Sequence, residues 1–252
     1  MDKAYTVSAD KYSIRCRLYC EDPRGADRAV VFGHGFGGHK DNRAAERFAK
    51  RVMEKNKGVG VMTFNWPCHG DDVHKLLRLE DCDRYLRLVL AHIDSRFGSP
   101  ELYAYATSFG GYLFLKYISE HGNPFEKIAL RCPAVKMYRV LTDAVMTEEE
   151  WARIARGKIV QVGFDRKIEI DRAFLESLQQ ADVSGRDFLE EADRMLILQG
   201  TRDEIVPFET VKEFAEANVI DFIPVEGADH RFQHPGAIES AHAQIISFFG
   251  LK

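Results

Sequence analysis

A serine hydroxyl becomes a competent nucleophile only when a base takes its proton and a third group holds that base in one tautomer. Three segments of this chain offer those parts in order. Ser108 sits in Ala106-Thr107-Ser108-Phe109-Gly110-Gly111, directly after the apolar run 102–106 and directly before a helix-like stretch at 109–120. A serine so placed must occupy a very tight turn, its oxygen clear of the strand and at the positive end of the following helix. Ala106 and Gly110 are small, as crowded strand and helix backbones at such a turn require. Asp203 follows the apolar run 195–198, and His230 follows a run ending at Pro224. Each has a plain structural alternative. Ser108 could be a helix N-cap, Asp203 a turn aspartate with Glu204 as a rival acid, and His230 a surface histidine beside Asp229. Their joint occurrence, each after its own strand, points to Ser108 as nucleophile, His230 as general base and Asp203 as the orienting acid.

A fourth segment, Gly33-His34-Gly35-Phe36-Gly37-Gly38-His39-Lys40, follows an early apolar run. A glycine-rich loop there can turn backbone N–H groups toward a developing oxyanion. The expected donors are the amides of Phe36 and Phe109. The loop lacks the GxGxxG frame at a helix start and the Walker lysine–serine pair, so it does not read as a phosphate cradle. His34 and His39 have no cysteine or carboxylate cluster beside them; no metal and no cofactor are expected, and His34 reads as a loop brace. His69-Gly70, after the run 59–64, reads as a turn bracing the same loop. The aromatic residues Trp66, Tyr138 and Phe232 are candidates to wall a substrate pocket.

Those residues need elements to position them. Residues 5–8 and 12–20 read as an antiparallel hairpin at one sheet edge. Apolar runs at 29–32, 59–64, 102–106, 128–131, 195–198 and 219–224 alternate with amphipathic stretches at 43–54, 83–97, 109–120, 208–217 and 237–249. Strands alternating with helices predict an α/β fold: a mostly parallel central sheet with helices on both faces. Residues 1–133 and 191–252 form this core. Residues 134–190 supply no sheet strand and are long for a connection, so they read as an inserted lid. Within it, 147–156 and 171–180 look helical, and 158–162 and 167–170 look like short strands.

The bulk composition excludes several partners. A net charge of -4 and interleaved acids and bases leave no footprint for nucleic acid. No apolar run is long enough for a membrane span, and residues 1–6 lack the core of a signal peptide. Five scattered cysteines (Cys16, Cys20, Cys68, Cys82, Cys132) suit reduced thiols in a cytoplasmic protein. A homodimer is compatible with the sequence.

Taken together, His34–Lys40, the Trp66-Pro67-Cys68-His69-Gly70-Asp71 segment, Thr107–Gly111, Gly200–Pro207 and Glu226–Phe232 resemble the α/β-hydrolase superfamily across nearly the whole chain. Within it they are most similar to small bacterial carboxylesterases of the cinnamoyl or feruloyl esterase group. The order Ser, Asp, His is that superfamily's order. Ala106 stands where its pattern usually has glycine. The resemblance implies a small-molecule acyl ester as substrate and an acyl-enzyme intermediate. Three rivals remain: a peptidase, which would use a lid carboxylate such as Glu148, Glu149 or Glu150, although these read first as helix N-terminal charges; an acyl-thioesterase, whose basic entrance of Arg153, Arg156, Lys158, Arg166 and Lys167 is blunted by Asp165 and Glu169; and a non-catalytic binding protein on the same fold.

Overall fold

The computed structural model describes residues 2–23 and 25–252. Ile14, Cys16 and Leu18 alternate with Ser13, Arg15 and Arg17, which gives a strand with one dry face. This is β2 (Tyr12–Tyr19), paired antiparallel with β1 (Asp2–Ala9) in a register that sets Tyr5 opposite Cys16. There follow β3 (Arg28–Gly33), α1 (Arg43–Lys55), β4 (Val59–Phe64), α2 (Leu79–Phe97), β5 (Glu101–Thr107), α3 (Phe109–His121) and β6 (Lys127–Arg131). β3 and β4 are apolar almost throughout because both of their faces are covered.

The segment after β6 holds α4 (Met137–Arg139), which runs on into a π-helical stretch, Val140–Val145. Next come α5 (Glu148–Ala155), β7 (Val160–Val162), β8 (Ile168–Ile170), α6 (Arg172–Gln180) and a 3₁₀ stretch at Leu189–Arg194. The chain then returns to the sheet with β9 (Met195–Gly200), α7 (Phe208–Ala217), β10 (Asp221–Val225) and α8 (Ala237–Phe248). The sheet order is β1-β2-β4-β3-β5-β6-β9-β10, with β7 and β8 forming a separate antiparallel pair. From β4 to β10 every neighbour is parallel; β1 and β2 are the antiparallel edge.

Two apolar layers sandwich the sheet. On one face α1 and α8 set Phe48, Val52 and Ile245 against Val30, Phe32 and Leu198. On the other, α2, α3 and α7 set Val89, Phe114 and Val211 against Val31, Ala104 and Ile197. Ile154, Val162, Ile168 and Phe174 of the inserted segment belong to this second layer, so the insert shares the main core. It is also tied by the Leu77 N–H, which donates to the Glu169 carbonyl, and by a two-pronged Arg78–Asp171 ion pair at 2.7 Å per contact. No helix among the described residues is long and apolar enough to cross a membrane.

Two of the boundaries that depart from the sequence reading have local causes. α2 starts at Leu79, a turn earlier than periodicity suggests, since Leu79 and Cys82 are buried beneath it. β10 starts at Asp221 because Val219 adopts φ 57° and the Ile220 N–H turns back to the Ala215 carbonyl. The π-helical stretch has no pattern that announces it.

On α8, His242 is 2% exposed and packs edge-on against Phe48 and Tyr105, with ring centroids 5.4 and 5.9 Å away. Burial, helped by the charges of Arg131, Arg51 and Arg47, pushes its pKa down to about 3. Between the unfolded value and that one, the unfolded chain binds a proton the folded chain refuses, so stability falls as pH drops from about 6.5. His242→Phe is expected to lose about 2 kcal/mol less stability than the parent between pH 7.5 and pH 5. Urea unfolding at the two pH values checks this; equal losses refute it.

Candidate active site

Ser108 joins β5 to α3 with φ 53° and ψ -118°, a backbone that side-chain-bearing residues rarely adopt. The turn is pinned from three sides. The Ser108 N–H donates to the Arg131 carbonyl at 3.0 Å, while the Ser108 carbonyl accepts from the N–H groups of Tyr112 (3.0 Å) and Ala134 (3.2 Å). A Cβ on Gly110 would stand 2.5 Å from the Gly33 carbonyl oxygen and 2.7 Å from that of His34, which explains the glycine. Ala106 faces Gly33 across the β3–β5 register, so its methyl has room because its partner has none.

The carboxyl ends of β9 and β10 bring up the other two predicted residues. His230 Nε2 lies 3.0 Å from Ser108 Oγ, and His230 Nδ1 lies 2.8 Å from Asp203 Oδ2. A carboxylate accepts only, so the proton sits on Nδ1 and Nε2 is left to accept from the serine. The Asp203 side chain is fully buried, and Oδ1 accepts from the amides of Ile205 (2.9 Å) and Val206 (2.7 Å). Gln199, unmarked by any sequence motif, donates to Oδ2 at 2.9 Å. Burial pushes the Asp203 carboxyl up, but hydrogen bonds from His230 and the two amides outweigh it and hold the group below the usual carboxylate value. Glu204, the rival acid, accepts instead from the His230 main-chain N–H at 3.2 Å. Gly200 keeps the two loops together: a Cβ there would lie 2.4 Å from the Ala228 carbonyl oxygen.

The glycine loop after β3 comes up against the serine. A Cβ on Gly35 would stand 3.2 Å from Ser108 Cβ. A turn closed by Gly38 N–H to Gly35 C=O, with Gly37 at φ 75°, presents Phe36, whose ring meets Phe109 edge-on at 5.6 Å. Neither the Phe36 nor the Phe109 amide has an intramolecular acceptor among the described residues. Beneath them lies a floor of neutral imidazoles. His34 Nδ1 donates to the Gly35 carbonyl at 2.8 Å and Nε2 accepts from the Trp66 amide at 3.3 Å. His69 Nδ1 donates to the Pro67 carbonyl at 2.7 Å, and its ring stacks on Phe109. Burial drives the His34 pKa well below its ordinary value and that of His69 down to about 4. Lys40 ties this loop to the β4 loop through Asp41 and Asp71, with Asn65 bridging.

Above Ser108 and His230 opens a cleft of about 320 Å³, walled by Phe36, Met137, Val140, Val145, Phe164 and Ile205. The aromatic residues proposed from sequence lie elsewhere. Trp66 is fully buried, its indole N–H given to the His34 carbonyl at 2.9 Å and its ring set against Phe64 and Phe114. Phe232 is 2% exposed and packs in the α8 layer against the Arg131 guanidinium. Tyr138 packs half-buried against the core while its helix neighbours Met137 and Val140 face the cleft. Their sequence signal was aromaticity alone, which does not distinguish a wall from a filling. Glu149 and Glu150 line a separate groove, and Glu150 closes a capping box with Thr147. Cys132 Sγ lies within 4.8 Å of ligand atoms on Asp203 and His230, but burial raises its pKa and keeps it a thiol, a poor metal ligand.

A doubly covered parallel sheet, an antiparallel edge, a strained serine between β5 and α3, and a histidine and an aspartate from the last two strand ends define a serine hydrolase of the α/β-hydrolase superfamily. The chain belongs to the serine aminopeptidase S33 family, which it matches over residues 24–181. No curated protein sequence matches it significantly. Among solved structures it is similar to Est1E from Butyrivibrio proteoclasticus with ferulic acid bound, at 16% identity, 98% coverage of each chain and a TM-score of 0.74. It is also similar to the mouse alpha/beta hydrolase domain-containing protein 10, at 15% identity, 98% of each chain and 0.72. A monoacylglycerol lipase from Paleococcus ferrophilus aligns at 18% identity over 94% of this chain and 98% of that one, with a TM-score of 0.66.

Because two backbone oxygens crowd position 110, Gly110→Ala is expected to cost about 1–3 kcal/mol. It should also displace the glycine loop and slow labelling of Ser108 by a fluorophosphonate. Unfolding curves and labelling kinetics read the two effects; parental values in both would refute the crowding.

Proposed function

We propose that the protein is a carboxylesterase that acts through an acyl-enzyme. Ser108 Oγ attacks the ester carbonyl as His230 Nε2 takes its proton, and Asp203 stabilises the imidazolium. The oxyanion is received by the Phe36 and Phe109 amides, where each such donor is worth roughly 3 kcal/mol in the transition state. His230 then protonates the departing alcohol, and a water activated by the same nitrogen releases the acid. Neither metal nor cofactor enters. The observation that carries this reading is the unbroken hydrogen-bond line from Ser108 Oγ through His230 to Asp203 beside two unpaired amides.

The apolar walls Phe36, Met137, Val140, Val145 and Phe164 favour an apolar or aromatic acyl group, with residues 134–190 serving as the lid that shapes its pocket. The ferulic acid named with Est1E is consistent with that choice. The buried thiols of Cys16, Cys68, Cys82 and Cys132 support a reducing compartment, the cytoplasm. An aminopeptidase reading has one favouring observation beyond the family's description: Glu204 and Asp229 line the cleft and neither forms an ion pair among the described residues. Aryl esters tested beside aminoacyl amides separate the two.

Ser108→Ala is expected to abolish fluorophosphonate labelling and to lower ester turnover by about five to six orders of magnitude, with melting unchanged. Undiminished turnover removes Ser108 from the chemistry. Phe164→Ala should raise KM for a cinnamoyl ester several-fold more than for an acetyl ester, by steady-state kinetics; equal changes for both would take Phe164 out of the acyl pocket.

A further inference from the structure

A buried cation without a carboxylate needs an explanation, because burying a charge is expensive unless it is paired. Arg131, the last residue of β6, is such a cation: it is 8% exposed, forms no ion pair among the described residues, and leaves Nε without an acceptor. Its guanidinium lies 4.9 Å from the centre of the Phe232 ring, on the sheet face occupied by Tyr105 and His242. Beside Tyr105, its Nη1 donates to the main-chain carbonyl of His230 at 3.3 Å. Its own carbonyl accepts the Ser108 N–H at 3.0 Å. One residue therefore grips the backbone of the candidate nucleophile with its main chain and the backbone of the candidate base with its side chain.

The geometry points to Arg131 as a positioning residue that sets the separation of Ser108 Oγ and His230 Nε2. The reason lies in how His230 is held. Its main chain has two ties: the N–H reaches Glu204, whose side chain is exposed, and the carbonyl reaches Arg131, which is buried. Water competes for the first contact and is kept from most of the second. The loop also needs an anchor, since Phe232, two residues on, adopts φ 55° and turns its N–H back to the Asp229 carbonyl. Phe232 thereby lays its ring under the guanidinium, 4.9 Å from its centre, and limits where Nη1 can move. The Arg131 side chain is not part of the cleft lining and acts through His230. The assignment rests on the Ser108–His230 reading above.

Its test separates positioning from folding by counting active sites. Arg131→Met keeps the length of the side chain and removes its charge and donors. Each variant is titrated with a fluorophosphonate, and turnover of a short aryl ester is expressed per labelled serine. Arg131→Met is expected to label to completion more slowly and to lose about ten- to a hundred-fold in kcat per site, with KM within two-fold. Arg131→Lys, which retains a charged donor but not the forked guanidinium, should recover part of that loss. Phe232→Leu keeps the guanidinium and removes the ring under it, and should lower kcat several-fold even if the Met variant does not fold. Parental kcat per labelled serine in Arg131→Lys and Phe232→Leu overturns the proposal, whatever their melting temperatures. Failure of the parent itself to label would instead sink the serine hydrolase reading, so the two failures are distinct.

Discussion

The structure depends on one strained residue. Ser108 holds a left-handed backbone that costs roughly 1–3 kcal/mol, and persists only because its surroundings over-determine it. Its amide and carbonyl are committed to the neighbouring strand end and to the segment beyond it, and the missing side chains of Gly35 and Gly110 let the β3 loop and the start of α3 close on it. Relaxing the turn would break those bonds and drive α3 against the β3 loop. The strain also has a use. It lifts the hydroxyl out of the sheet to meet His230 and leaves the Phe109 amide unpaired at the helix start.

The loop facing that serine is supported by neutral polar groups. His34 and His69 are buried and uncharged, each giving Nδ1–H to a nearby carbonyl. A charged floor would require a counter-ion; a neutral one orients the loop without altering the local charge. Lys40, the nearest buried cation on this loop, is answered by two aspartates. Burial works against the charge on Asp203, which is held as a carboxylate by three hydrogen-bond donors besides the His230 N–H.

The insert between β6 and β9 belongs to this arrangement through packing. Ile154, Val162, Ile168 and Phe174 complete the layer under α2 and α3. The β7–β8 turn reaches over the glycine loop: a Cβ on Gly37 would come within 3.5 Å of the Arg166 carbonyl oxygen. An exposed Arg231–Asp165 contact joins that turn to the histidine loop. Phe164, half exposed at its tip, is left to face the cleft.

Much of this was legible in the order of residues. Alternating apolar runs and amphipathic stretches carry the layers of the fold, because burial on two faces demands near-continuous apolar strands and helices need one apolar stripe. Ser108, Asp203 and His230 were readable because each follows a strand, and strand ends on one rim of a parallel sheet must be neighbours. What lines the cleft was not readable. Trp66 and Phe232 look no different in sequence from Phe164, yet two are core and one is wall, since exposure is settled by which layers close over a residue. Gln199 and Arg131 left no signal either: no motif marks the Gln199 amide that reaches Asp203 four positions on, and only the assembled sheet brings the Arg131 side chain against a loop 99 positions away. Local spacing encodes elements and their chemistry, whereas distances between atoms on different strands exist only after the layers have packed.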